Sequence, residues 1–237
     1  MLQGNYQAVL EARDIEEFRT AVLRFTGEIG FNTVSAVTVV ERSGQDAEFI
    51  AVGNTPAGYE EASQRVADSR RDPVMQHLKR QSVPVIWTQR TYVETGMADL
   101  WEEQAAFGYH TGVAMALHLP EGRHFLLGVD RDLPLPTDPR ELTRIVADLQ
   151  LFAVHAQDTA MRVLVPPALQ PERPALTPRE LEALRWTMEG KTAWEVGAIL
   201  GISQRTAVLH INNAMHKLGC TTKHQAVLKA LRLGLIH

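Results

Sequence analysis

The chain has 237 residues and a formal net charge of −4, with 45% hydrophobic and 22% charged residues, which suits two modest globular domains that each bury a core. Cys220 is the one cysteine in the sequence, which excludes an intramolecular disulfide and a cysteine-based zinc site. No apolar run approaches the length of a membrane span, and residues 1–10 lack the basic and then apolar pattern of a secretory leader, so the cytoplasm is the expected compartment.

Asp14 and Glu17 form a capping pair that opens the first helix. Phe18, Val22, Phe25 and Ile29 repeat along it at helical spacing, and Gly30 ends it. Residues 33–41 and 47–53 are rich in strand formers. Residues 60–70, 74–81 and 97–107 are predicted helical. Residues 111–119 and 124–130, joined through Glu121-Gly122-Arg123, predict a hairpin. A long helix follows, with Leu142, Ile145, Leu149, Phe152 and Ala156 on one stripe. The pattern predicts an α/β domain over residues 1–163, an α-β-α sandwich with helices on both faces of the sheet. Such a sandwich has room for an apolar ligand between sheet and helices; it equally suits a dimerisation domain.

Residues 164–175 read LVPPALQPERPA. Four prolines there stop both helix and central strand, giving a stiff linker. Residues 176–237 predict an all-α, four-helix domain. Thr177-Pro178-Arg179-Glu180 is a capping box with proline at the first helical position, and Leu181, Leu184 and Met188 follow on the inward face. Thr192-Ala193-Trp194-Glu195 opens a second helix, expected to bury Val196, Ile199 and Leu200 before Gly201. Ser203 caps a third, with Ala207, His210 or Ile211, Ala214 and Leu218 inward. Thr222 to Gln225 opens a fourth.

Two short helices joined by Gly-Ile-Ser make a helix-turn-helix, whose second helix enters the major groove of double-stranded DNA. Its outward residues are Arg205, Val208, Leu209, Asn212, Asn213 and His216. Arg205, Lys191, Lys217 and the backbone N–H groups at the helix starts, around Thr192, Ser203, Gln204 and Thr206, are the candidate phosphate contacts. Charge agrees: residues 173–237 carry nine Lys/Arg against four Asp/Glu, a net +5, while the rest of the chain is −9. A basic bias in one segment suits a polyanion, although a solvated basic face reads the same way.

The stretch LTPRELEALRWTMEGKTAWEVGAILGISQRTAVLHINNAMHKLG, residues 176–219, resembles the LuxR/GerE-type helix-turn-helix over its whole length. Relatives commonly carry Thr-Val-Lys where this chain has Thr206-Ala207-Val208, so an apolar side chain, suited to a thymine methyl, replaces a basic one. Asn212 stands where relatives often have a second basic reader, and suits adenine. The first strand lacks the acidic residues of a phosphate-accepting receiver domain.

Residues 14–164 resemble instead the autoinducer-binding domain of quorum-sensing LuxR proteins. The likeness rests on Asp72-Pro73, Trp87 fifteen residues after Asp72, the helix of Leu100-Trp101-Glu102-Glu103, and Gly108 with Gly112 before a strand. It implies that Asp72 accepts the amide N–H of an N-acyl homoserine lactone and that Trp87 and Trp101 wall the pocket. Tyr59 stands where the family has a tryptophan that holds the lactone carbonyl, and Ser63 where it has a tyrosine; both remain candidate ligand contacts. Asp72 before Pro73 is equally a helix-start residue, and the two tryptophans are equally core residues. His77 and His110 lack metal-ligand partners at regular spacing. No metal or cofactor is expected beyond the small-molecule signal. The expected partners are an inverted-repeat DNA operator, the autoinducer, a second copy of the chain and RNA polymerase. Dimer contacts would come from the long helix and from Leu228, Leu231 and Leu235. The alternative is a ligand-independent dimeric regulator whose front domain binds another signal or a protein. No Ser-His-Asp or paired-acid arrangement at telling positions points to an enzyme.

Overall fold

In the computed structural model, which describes residues 5–41, 46–56, 58–59, 70–166, 169 and 174–237, the chain divides near residue 170 into two compact units. The helix expected over 60–70 falls, apart from Arg70, outside the described residues, as does Ser63, and so do 167, 168 and 170–173 of the linker segment.

The first unit is built on one antiparallel sheet. Its strands are β1 (Thr33–Val40), β2 (Glu48–Gly53), β3 (Val85–Trp87), β4 (Thr111–Leu119) and β5 (Arg123–Arg131), in the order β2-β1-β5-β4-β3. The predicted hairpin is β4–β5, which turns at Pro120–Gly122 with φ 70° at Glu121 and 68° at Gly122. Around it lie α1 (Asn5–Glu11), α2 (Ile15–Glu28), α3 (Pro73–Leu78), α4 (Gln89–Glu94), α5 (Ala98–Ala105) and α6 (Pro139–Val163). Asp14 caps α2 by accepting the Glu17 N–H at 2.9 Å. Three elements go beyond the sequence expectations. Strand β3 is too short to show a period, α1 lacks a capping signal, and α4 is boxed by Thr88 and Thr91 where the usual second member is Glu or Gln.

The two faces of the sheet are packed differently. Alternation sends Val113 and Met115 of β4 to one face and Ala114 and Ala116 to the other. The first face is covered by α1, α2 and α6 and filled by large side chains. Phe25 and Phe152 stack there with centroids 3.9 Å apart and planes 3° from parallel. The second face meets α3, α4 and α5, and beside the larger Val85, Trp87 and Leu126 it carries small residues: Gly112, Ala114 and Ala116 on β4, Gly128 on β5. Gly128 lies on a strand paired on both sides, yet a Cβ there would meet nothing within 4 Å among the described residues.

The second unit holds α7 (Pro178–Met188), α8 (Ala193–Leu200), α9 (Gln204–Lys217) and α10 (Lys223–Arg232). The side chains of Thr177, Thr192, Ser203 and Thr222 cap them, and three of the four ends are reciprocal boxes. Ala183, Val196, Ala207 and Ile211 form one small core; Leu184, Ala214, Leu218, Ala226 and Ala230 form another. One expectation is corrected. Ile199 is exposed and Gly197 is buried in its place. The start of α9 approaches α8 so closely that a Cβ on Gly197 would lie 2.9 Å from the Ile202 carbonyl oxygen. The helix therefore turns its glycine inward and Ile199 outward.

Candidate functional site

Asp72 sits at the start of α3 on the second face. Its Oδ1 accepts the N–H groups of Val74 at 2.8 Å and Met75 at 3.3 Å, and the Tyr92 hydroxyl at 3.4 Å. Its Oδ2 accepts from Gln104 Nε2 at 3.3 Å. Asp72 is thus the helix cap that its sequence allowed, yet its carboxylate also reaches across to α4 and α5. Burial pushes its carboxyl up, and the four donors only partly reverse the shift. A carboxylate has about four acceptor sites; Oδ2 retains capacity for one more donor.

Aromatic rings surround this carboxylate. Trp87 and Tyr92 meet edge to face at 5.9 Å. Tyr59 packs on Tyr109 at 4.4 Å and on Phe107 at 5.5 Å. Burial, with Tyr109, Asp72 and Asp130 nearby, pushes the Tyr59 hydroxyl well above the usual phenol range, so it stays a neutral hydrogen-bond donor. Trp101 packs against the same cluster, and its indole N–H is directed away to the His110 carbonyl oxygen at 3.2 Å. The structure therefore brings Tyr59, Asp72, Trp87 and Trp101 to one face. It adds Gln104, Tyr109, Tyr92 and Asp130, which sequence reasoning missed. Tyr92 lies five residues beyond Trp87 on the unforeseen α4, and Asp130 reaches the face through β4–β5 register. Neither signal is local.

On the second unit, α9 buries Ala207, Ile211, Ala214 and Leu218 and exposes Gln204, Arg205, Val208, Leu209, Asn212, Asn213 and His216. Val208 and Leu209 are 39% and 55% exposed, which leaves two apolar side chains in the outward row. Ser203 Oγ and Thr192 Oγ1 are engaged in capping, with Thr206 N at 3.1 Å and Glu195 N at 3.3 Å. The helix starts they cap leave free N–H groups. A groove of about 310 Å³ beside α9 is lined by Lys191, Val208, Asn212 and Lys223, among others. Lys223, not singled out from the sequence, stands on it with Lys191. Lys217 is placed differently: its ammonium lies on Glu180, away from the row.

The two halves agree with known proteins. Residues 14–160 match the autoinducer binding domain family, and residues 174–230 match the bacterial regulatory proteins of the luxR family. The chain is 32% identical over 234 residues to the transcriptional activator protein SolR of Ralstonia nicotianae, covering 99% of this chain and 98% of that protein. It is 31% identical over 232 residues to the transcriptional activator protein BjaR1 of Bradyrhizobium diazoefficiens, covering 95% and 91%. The solved structure of Escherichia coli SdiA is similar at a TM-score of 0.75 and 25% identity, covering 98% of this chain and 95% of that one. SdiA in complex with octanoyl-rac-glycerol is similar at the same TM-score and identity, with 98% and 93% covered. The chain belongs to the luxR family of bacterial regulatory proteins: it is a transcriptional regulator, not an enzyme, in which an autoinducer binding domain precedes a DNA-binding helix-turn-helix.

Proposed function

We propose that this regulator senses an N-acyl homoserine lactone in the cytoplasm and acts as a homodimer on an inverted-repeat operator. The observation that carries the reading is the contrast between the two faces of the sheet. One is filled by large side chains; the other has open space above Gly128 and carries the aromatic cluster and the part-buried carboxylate of Asp72. An acyl chain would lie over the small residues of β4 and β5, and its amide N–H would go to Asp72 Oδ2. Tyr59 would donate to a ligand carbonyl, and Trp87 and Trp101 would wall the site. No described helix is long and apolar enough to cross a membrane.

A monoacylglycerol is a second candidate, because SdiA, similar over nearly the whole chain, holds octanoyl-rac-glycerol. Exposed Leu151 and Val154 on α6, and Leu228 and Leu231 on α10, are apolar surface that a second copy would cover. Leu235 packs within its own core instead. Two α9 helices would then meet successive major grooves, Val208 and Asn212 reading bases while Lys191, Arg205 and the N–H groups near Thr192 and Ser203 hold phosphate. RNA polymerase would be met by the DNA-bound dimer.

The test is thermal melting of the full chain with N-acyl homoserine lactones of graded chain length and with octanoylglycerol, followed by titration of DNA duplexes at several salt concentrations. A ligand at a hundred times its Kd should stabilise the chain by about 2.7 kcal/mol. No shift with any compound would refute the sensing claim, and no salt-sensitive DNA association would refute the output.

A further inference from the structure

Asp130 near the end of β5 pairs with Gly112 of β4 and Thr33 of β1, and Gly112 pairs with Trp87 of β3. One row across the sheet therefore reads Trp87, Gly112, Asp130, Thr33. Gly112 shares the parity of Ala114 and Ala116, so the row faces the Asp72 side. A Cβ on Gly112 would lie 2.7 Å from Asp130 Oδ1 and 2.9 Å from Trp87 Nε1. Two polar atoms lean over the same bare glycine.

Asp130 is 7% exposed. Its backbone carbonyl accepts from Asn32 N at 3.0 Å. Its carboxyl has no hydrogen-bond or ion-pair partner among the described residues, and the charged group it feels is Asp72, of like sign. A polar group this little exposed and without a protein partner is costly, and a ligand on this face could supply one. We propose that the Asp130 carboxyl is a specificity-determining contact of the ligand site, donating its proton to a carbonyl oxygen of the signal's head group above Gly112.

Burial, and then the like charge of Asp72, push the Asp130 carboxyl well above the ordinary range, while four donors favour the charge on Asp72. The other titratable groups of the site include Tyr59 and Tyr92, whose phenols are pushed up chiefly by burial and stay neutral, and Tyr109. These directions favour a proton on Asp130 over one on Asp72, and a protonated carboxyl donates. Asp72 accepts one N–H, whereas Asp130 and the Trp87 indole offer hydrogens. That set fits an acylated head group bearing an amide N–H and a second carbonyl, as a lactone has. The assignment rests on the acyl-lactone reading of the site.

Calorimetric titration of the full chain with N-octanoyl homoserine lactone and N-octanoyl cyclopentylamide, which lacks the ring carbonyl, separates the possibilities. Asp130→Ala should weaken the lactone about tenfold and leave the cyclopentylamide unchanged. Asp130→Asn, whose amide still donates, should recover most of the lactone affinity. Equal losses for both compounds, or none for either, overturn the contact while the site stands. A wild-type chain that binds neither compound overturns the site reading and this inference together.

Discussion

Lys217 Nζ stands 2.9 Å from Glu180 Oε2 and 3.2 Å from the Ala175 carbonyl oxygen, so a lysine expected on phosphate is committed inside its own domain. Glu180 is 3% exposed and also accepts the Thr177 N–H at 2.7 Å. Burial pushes its carboxyl up, but the Lys217 ammonium and the Thr177 N–H more than reverse this and hold it below the usual glutamate value. A depressed acid stabilises the fold above its unfolded pKa, about 4.3, and that stability is lost as pH falls through the folded value. Glu180→Gln should cost roughly 1–2 kcal/mol at neutral pH. Urea denaturation should show the deficit shrinking as pH drops below about 4. Equal stability of variant and wild type at neutral pH would show that the pair contributes nothing.

Most of the second unit was legible because its signals are local. Thr177, Thr192, Ser203 and Thr222 announce four helix starts within three residues each. The Ile199 error arose because a helical stripe says nothing about how near the neighbouring helix comes; Gly197 answered that only in three dimensions. In the first unit the Asp72-Pro73 cap and the β4–β5 hairpin could be read directly. Strand β3 and the Trp87, Gly112, Asp130 row could not, since register between distant strands leaves no periodic trace.

Val208 gives a direct test of the α9 surface. A lysine there restores a cation to the exposed row. Binding to a random-sequence duplex should tighten, and the plot of log K against log salt should steepen by about 0.9 for one added phosphate contact. Fluorescence anisotropy at three or more salt concentrations measures it. An unchanged slope would place position 208 away from the backbone, in keeping with contact to base edges.

Gly128 separates cavity from core. Open space above it means Gly128→Val should fold without clash, and the added side chain should leave stability unchanged or raise it by about 0.5–2 kcal/mol. The same side chain would occupy the acyl path, so the melting shift with N-acyl homoserine lactones should vanish. A destabilised variant that still binds ligand would contradict the cavity.

Asp72 carries two roles that one substitution can divide. Serine caps helices nearly as well as aspartate, but it cannot reach Gln104 and presents no carboxylate. Asp72→Ser should keep the melting temperature of the ligand-free chain within a few degrees. Its lactone affinity should fall at least tenfold, as expected for loss of a charge-assisted hydrogen bond. Loss of stability with intact ligand affinity would leave Asp72 as a cap alone.

The raised pKa of Asp130 makes the ligand-free chain sensitive to pH in the direction opposite to Glu180. A folded-state pKa raised above the unfolded value, about 3.9, means that the favourable contribution is complete below that value and is lost as pH rises through the folded one. Burial and Asp72 set that raised value, and Asp72, itself raised chiefly by burial, adds a smaller effect of the same sign. Asn cannot ionise. The melting temperature of Asp130→Asn relative to wild type should therefore climb as pH rises above about 4 and through the folded-state value. A ligand carbonyl that accepts the Asp130 proton would hold it more tightly, so lactone affinity in the wild type should decline as the carboxyl ionises and stay flat in the variant. Parallel pH profiles of melting and of binding for the two proteins would show that Asp130 keeps one protonation state throughout.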